Sequence, residues 1–301
     1  FFQAEDGIRY RSPSRGLGDV YKRQAHYYQY ALGFTPISYS GLETGARKKV
    51  SYVMQQGKVR FVLSSPLIPG TEIGKHLDKH GDGVKDISFT VDNAEEAWKE
   101  TTGNGAISIS RPKLIEDDKG KAVIATIKTY GDTTHTFIER DNYKGSFLPG
   151  FKKLKNSKVD QSVGIVHIDH IVGNQQGGDM KSVCEFYEKI FGWHRFWSVD
   201  DKDISTKYSS LKSIVMANDN EIIKMPINEP AKGLKKSQIQ EYIDFYKGPG
   251  VQHIALSTKD IISTVKKLKL NGVEFLPTPK SYYKDLINRV GEIKEDLKEI
   301  S

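Results

Sequence analysis

Two distant stretches of this chain read alike. Gly81-Asp82-Gly83-Val84-Lys85-Asp86-Ile87-Ser88-Phe89-Thr90-Val91 lays over Gly248-Pro249-Gly250-Val251-Gln252-His253-Ile254-Ala255-Leu256-Ser257-Thr258. A second pair keeps the same order: Tyr27-Tyr28 with Gly33-Phe34 matches Phe186-Tyr187 with Gly192-Trp193. Self-similarity of this kind means that one supersecondary unit is built more than once. Each half reads as βαβββ units, so the expected fold is α+β, with two tandem modules whose cupped sheets form open barrels with helices outside. A cupped sheet offers a concave interior suited to one small ligand.

The 301 residues allow about two domains. Three Trp, fifteen Tyr and thirteen Phe suffice for sizeable cores. The charge of +7 comes mostly from scattered lysines, with no basic stripe interleaved with aromatics, so nucleic-acid binding is not indicated. No apolar run reaches the length of a membrane span. The single cysteine, Cys184, excludes a disulfide framework, fits a reducing compartment and reads as a small buried hydrophobe.

Residues 1–24 stand apart. They carry Arg9, Arg11, Arg15, Lys22 and Arg23 without periodicity or an apolar core, so they are no signal peptide. They resemble a translated sequencing-library adaptor and are set aside as a foreign, disordered leader. The charged pattern from Asp285 to Ser301 stops without a cap, and both ends read as those of a fragment. The expected division is then a first module over 25–151, a lysine-rich linker over 152–162 and a second module over 163–301.

Within these limits the punctuation is regular. Val50–Met54 and Val59–Ser64 form a hairpin through Gln55-Gln56-Gly57-Lys58. Helices are expected over Ile73–His80, Asn93–Thr101, Met180–Phe191, Lys235–Tyr246 and Asp260–Leu270. Strands are expected over Val123–Thr129, Thr134–Arg140, Val163–Val172, Ile204–Tyr208, Ser213–Ala217, Ile222–Met225 and Val273–Leu276, and from Val251 onward.

A lone histidine in a buried strand is more often a satisfied core group than a ligand. Here there are two, His170 and His253, each mid-strand and far apart in the chain, which suits convergence inside one cup. Strict alternation puts His170 on a face with Val166, Ile168 and Val172 and turns His167 to the other side. Two neutral imidazoles and one carboxylate on one face of a metal are a common setting for Fe(II) and dioxygen.

Further strings carry a specific resemblance. They are Ile168-Asp169-His170-Ile171-Val172-Gly173-Asn174, Met225-Pro226-Ile227-Asn228-Glu229-Pro230, Lys236-Ser237-Gln238-Ile239-Gln240 and Gly250-Val251-Gln252-His253-Ile254. Gly41-Leu42-Glu43-Thr44-Gly45 and Thr129-Tyr130-Gly131-Asp132-Thr133-Thr134-His135 add to them from the first half. From Ala25 to Ser301 the chain resembles the 4-hydroxyphenylpyruvate dioxygenases of the vicinal oxygen chelate superfamily. The resemblance implies a cytoplasmic, non-haem Fe(II) enzyme of tyrosine and phenylalanine catabolism, a homo-oligomer (dimer or tetramer), that turns 4-hydroxyphenylpyruvate and O2 into homogentisate and CO2. It implies His170 and His253 as metal ligands, and Ser213, Asn228, Gln238 and Gln252 as residues of the substrate pocket. Strict alternation sends Gln252 away from His253 unless a bulge re-aims it. Asn228 also reads as turn chemistry, and Ser237 with Gln238 as an ordinary helix start. Arg195, Trp197 and Asp200 read as packing and ion pairing.

The family's third ligand is a glutamate that the resemblance places beyond Ser301, so this chain is expected to hold iron weakly and turn over little. The first module has Asp86 where the second has His253, and Glu139 occupies the place of the third ligand there; that module is expected to be free of metal. Two other readings stand beside the dioxygenase: hydroxymandelate synthase, and a metal-free ligand-binding module of the same fold.

Overall fold

The computed structural model describes residues 20–155, 161–199, 210–231 and 235–278, with 282, 283, 286 and 291 beyond them. The chain opens with α1 (Val20–Tyr30), β1 (Thr35–Ser40), β2 (Lys49–Gln56) and β3 (Val59–Pro66), then α2 (Glu72–His80). A second unit follows: β4 (Asp86–Thr90), α3 (Ala94–Gly103), β5 (Ser108–Asp117), β6 (Gly120–Lys128) and β7 (Thr134–Glu139). The short β8 (Lys152–Lys153) leads to a third: β9 (Ile165–Asn174), α4 (Met180–Phe191), β10 (His194–Val199), β11 (Ser210–Ala217) and β12 (Lys224–Ala231). Then come α5 (Gln238–Tyr246), β13 (Gly250–Thr258) and α6 (Ile261–Leu270).

Topology confirms the repeat. The second unit orders its strands β4-β7-β6-β5 and the third β9-β12-β11-β10, so first lies beside fourth in both. That pair is parallel each time, and the remaining neighbours are antiparallel. β13 opens a fourth unit and pairs antiparallel with β9.

The helices start and stop where local chemistry directs. Asn93, Ser237 and Asp260 each accept a backbone N–H of the first helical turn, satisfying groups a helix start leaves unpaired. α4 ends at Gly192 in the left-handed conformation. The β2–β3 turn places Gly57 at φ 55°, and a Cβ there would lie 2.4 Å from the Val166 carbonyl oxygen. Glycine therefore lets this turn of the first module touch β9, where Lys58 N–H donates to Val166 O at 2.7 Å.

Three expectations need correction. Residues 273–276 are not a strand: Val273 is buried as irregular chain against the core that holds Phe34 and Met54, and burial alone does not make a ladder. The fifth helix starts at Gln238, after its Ser237 cap, instead of at Lys235. α1 begins at Val20, inside the segment set aside as a leader, and Gln24 donates to Asp82 at 2.9 Å; residues 1–19 lie outside the described residues. The strand expected over Ile204–Tyr208 also lies outside them, as does Asp200.

The cores join what the sequence divides. Phe34, Met54 and Val59 of the first module pack with Val163, Ile165, Leu268 and Val273 of the second. Ile87 and Tyr130 pack with Cys184, Tyr187, Trp193, Met225 and Val251. Cys184 is fully buried in that core, and burial pushes its thiol up to about 11, so it behaves as the expected hydrophobe. Gln56 fastens the two modules at the start of β9. Its Oε1 accepts from Ser162 Oγ and from the N–H groups of Val163, Gly164 and Ile165, while its Nε2 donates to Leu32 O at 2.7 Å.

Candidate metal centre

His170 and His253 stand on neighbouring strands with ring centroids 5.7 Å apart and ring planes inclined by 74°. Both are half-buried. The ladder beneath them is irregular. Val251 pairs with Gly173 and His253 with Val172, which leaves Gln252 unopposed. Ala255 pairs with His170 and Leu256 with Ile168, which leaves Asp169 unopposed. Each unopposed residue is the extra member of a β-bulge, a feature that re-aims side chains and concentrates near active sites.

The bulges give each histidine a partner from its own neighbour. His170 Nδ1 meets Asp169 Oδ2 at 2.7 Å, and His253 Nδ1 meets Gln252 Oε1 at 3.0 Å. Both partners are oxygen acceptors, so each Nδ1 carries the hydrogen and Nε2 the lone pair that a metal takes. Ligating histidines are oriented in this way, by a carboxylate or carbonyl on the other ring nitrogen. Burial first, and then nearby His170, pulls His253 down to about 4, so its imidazole stays neutral at physiological pH. The His170 bond holds the Asp169 carboxyl below the usual carboxylate range. The residues present therefore suit a divalent metal as a histidine pair. Among the described residues, no group of three or more His, Cys, Asp or Glu side chains gathers into a complete metal site.

Alternation needs correction here. The Asp169 bulge rephases β9, so His170 no longer shares a face with Ile168, which packs with Leu256 towards the first-module core. A further bulge leaves Val166 unopposed, and the register then sets His167 against Ser257, two residues from the Ala255 that faces His170. Counted across the bulge, His167 falls on the His170 side of the ladder instead of the opposite one.

The other expected residues are placed as follows. Ser213 and Asn228 lie opposite each other on β11 and β12 and are buried. Gln238 is exposed in the first turn of α5. Arg195 pairs with Glu188 at 2.7 Å and Trp197 is exposed, both away from the histidines in role. Asp169 is the functional neighbour that sequence reasoning missed. An Asp-His dipeptide in an ideal strand sends the two side chains to opposite faces, so only the bulge could have revealed it.

In the first module, Asp86 is held by hydroxyls. Its Oδ2 accepts from Thr134 and Thr136 at 2.6 and 2.7 Å, and its Oδ1 from Ser88 at 2.6 Å. Glu139 is at the other end of the same strand pair, where it accepts the Ala94 N–H at the start of α3. The two carboxylates do not share a site.

A fold of repeated βαβββ units with two histidines on adjacent opening strands defines a class. The family model that matches, over residues 167–295, is the Glyoxalase/Bleomycin resistance protein/Dioxygenase superfamily. The chain is 51% identical over 284 residues to the 4-hydroxyphenylpyruvate dioxygenase of Aspergillus fumigatus, which covers 88% of this chain and 70% of that protein. It is 50% identical over 287 residues to the same enzyme of Yarrowia lipolytica, covering 92% of this chain and 73% of that protein. Among solved structures, a mutant of 4-hydroxymandelate synthase from Streptomyces coelicolor superposes with a TM-score of 0.79 at 26% identity, over 93% of this chain and 78% of that one. This chain belongs to the 4-hydroxyphenylpyruvate dioxygenase family.

Proposed function

We propose that the protein is an Fe(II)-dependent dioxygenase that converts 4-hydroxyphenylpyruvate and O2 to homogentisate and CO2 in tyrosine and phenylalanine catabolism. The observation that carries this reading is the His170–His253 pair with both Nδ1 atoms engaged, in a chain half identical to named enzymes of that activity. His170 and His253 hold the metal through Nε2, and Asp169 and Gln252 fix the two rings. The third ligand in this reading is a glutamate beyond Ser301. When bound, Fe(II) supplies a site for the 2-oxo acid and for O2, and the electrons that activate O2. The protein's own part is to orient the substrate. Ser213 and Asn228 line the sheet beside the histidines, and Gln238 and Gln252 complete the pocket. No helix among the described residues is long and apolar enough to cross a membrane. A cytoplasmic homo-oligomer completes the proposal.

Hydroxymandelate synthase is the second reading, favoured by the structural match above. Higher identity to the dioxygenases places it behind. Anaerobic Fe(II) titration followed by product analysis separates the readings. The expected result is one iron per chain, weakened at least about tenfold by His170→Ala or His253→Ala, and homogentisate as product. A chain extended through the third ligand should turn over faster than the 301-residue chain. 4-Hydroxymandelate would favour the second reading, and no metal uptake would favour a binding module.

A further inference from the structure

Thr129-Tyr130-Gly131-Asp132-Thr133 turns the chain from β6 into β7 in the first module, far in sequence from either histidine. The metal reading uses none of it. Tyr130 is nevertheless buried with its ring against Gly173 of β9, where a Cβ would lie 2.7 Å from the Tyr130 hydroxyl. Gly173 is the ladder partner of Val251, the last paired residue before the Gln252 bulge, and Val251 packs in the same core as Tyr130. Glycine at 173 thus lets an aromatic ring back the sheet at the register position where the bulge begins. The next pair, Val172 with His253, points to the other face, so the ring supports the ladder from behind the histidines.

The rest of the turn grips the entry to β13. Gly131, at φ 56°, touches the residues that open this strand: a Cβ there would lie 2.4 Å from Pro249 O. Gly250 follows, and a Cβ on it would lie 2.3 Å from the Tyr246 ring and 2.6 Å from the Tyr242 hydroxyl. That hydroxyl donates to Val251 O at 2.9 Å. Asp132 closes the circuit. Its Oδ2 meets His80 Nε2 at 2.8 Å, and His80 Nδ1 meets the Tyr246 carbonyl. Hydrogen bonds from Lys79 and His80 pull the Asp132 carboxyl down to about 2, so this anchor stays ionised.

A bulge is held only by what surrounds it, because its extra residue has no ladder partner. Relaxed to regular pairing, this one would send Gln252 to the face opposite His253. We propose that Tyr130, anchored through Asp132, is a positioning residue for the metal centre: it pins the Gln252 bulge and so keeps Gln252 on the His253 ring. The first module thereby tunes the metal affinity of the second. This rests on the reading of His170 and His253 as metal ligands.

The test measures Co(II) affinity, by competition with a chromophoric chelator, in the unmutated chain, Tyr130→Ala, Tyr130→Phe, Gln252→Ala and the double variant Tyr130→Ala with Gln252→Ala. Tyr130→Ala should weaken binding by about 3–30-fold. Tyr130→Phe keeps the ring and removes a hydroxyl that has no hydrogen-bond partner among the described residues, so it should stay within about twofold. In the Gln252→Ala background, Tyr130→Ala should change affinity by less than about twofold, because the device it acts through is already gone. Unchanged affinity in folded Tyr130→Ala, or in Gln252→Ala, overturns the proposal. So does a full additive loss in the double variant, which would mean general loosening of the module joint. Failure of the unmutated chain to take up Co(II) overturns the metal reading and this proposal with it. Should Tyr130→Ala fail to fold, Asp132→Ala, at a side chain 46% exposed, replaces it in the same cycle with the same deciding outcomes.

Discussion

Gln252 accepts the Nδ1 hydrogen of His253 at 3.0 Å although the two are consecutive on one strand. Only the bulge between Val251 and His253 makes this contact possible, because a regular strand sends neighbours to opposite faces. The bulge between His170 and Ile168 does the same for Asp169. One ladder thus carries two matched devices, each fixing the tautomer and tilt of one imidazole.

Removing either device should weaken metal binding without removing a ligand. Gln252→Ala and Asp169→Ala are each expected to lower Co(II) affinity by about 10–100-fold. Competition titration against a chromophoric chelator measures this. Affinity within twofold of the unmutated chain in both variants would show that the rings are held by packing alone.

A second prediction concerns the joint between modules. Gln56→Leu keeps the side-chain volume but leaves the Val163 and Ile165 N–H groups and the Leu32 carbonyl without their partner. The expected loss is about 2–3 kcal/mol of unfolding free energy, read as a lower midpoint in urea at unchanged slope. A midpoint that does not move would mean that water replaces the amide there.

Much of this architecture is legible in the sequence because its signals are local. Asn93, Asp260 and Gly192 announce helix ends, and the structure uses each as a cap. β1, β5 and β10 gave no such signal. β5 is exposed along most of its length and carries Pro112 within a register shift, so it lacks both the alternation and the uninterrupted ladder that mark a strand. β1 carries a shift beside Pro36, and β10 one beside Arg195. At the site, the two histidines were legible as residues of opening strands. Their Nδ1 partners were not, because a bulge arises from pairing between distant segments and leaves no mark in either one alone.

Stability should fall in acid through His135. This side chain is fully buried, with Nδ1 at Ile87 O and Nε2 at the Tyr187 hydroxyl. Burial, the largest cause, pulls it down to about 4; the Ile87 carbonyl and Asp86 oppose that weakly. The folded value lies below the unfolded one, so the unfolded chain binds the extra proton. Its contribution is complete above about pH 6.5 and is lost as pH falls towards 4, by about 3 kcal/mol in all. Urea midpoints measured from pH 7 to 4 should show this decline, and His135→Phe should flatten it. His76 and His253, also pulled down to about 4 chiefly by burial, leave a residual slope of the same sign in that variant. An undiminished slope in His135→Phe would assign the proton uptake elsewhere.

The last prediction separates the two modules. Asp86 takes the sequence place of His253, but three hydroxyls already fill its oxygens, and Glu139 is committed to the start of α3. In the parallel β4–β7 register Asp86 lies beside Thr134, five residues before Glu139. At about 3.3 Å per residue the carboxylates are anchored about 16 Å apart, too far for one ion. Asp86→Ala should therefore leave metal stoichiometry and affinity unchanged. It should still cost about 1–2 kcal/mol of stability, because Ser88, Thr134 and Thr136 lose a shared acceptor. Isothermal titration with Co(II) and urea unfolding of the same variant give both numbers. A lost equivalent of metal in Asp86→Ala would mean that the first module holds an ion, and would overturn the assignment of metal chemistry to the second module alone.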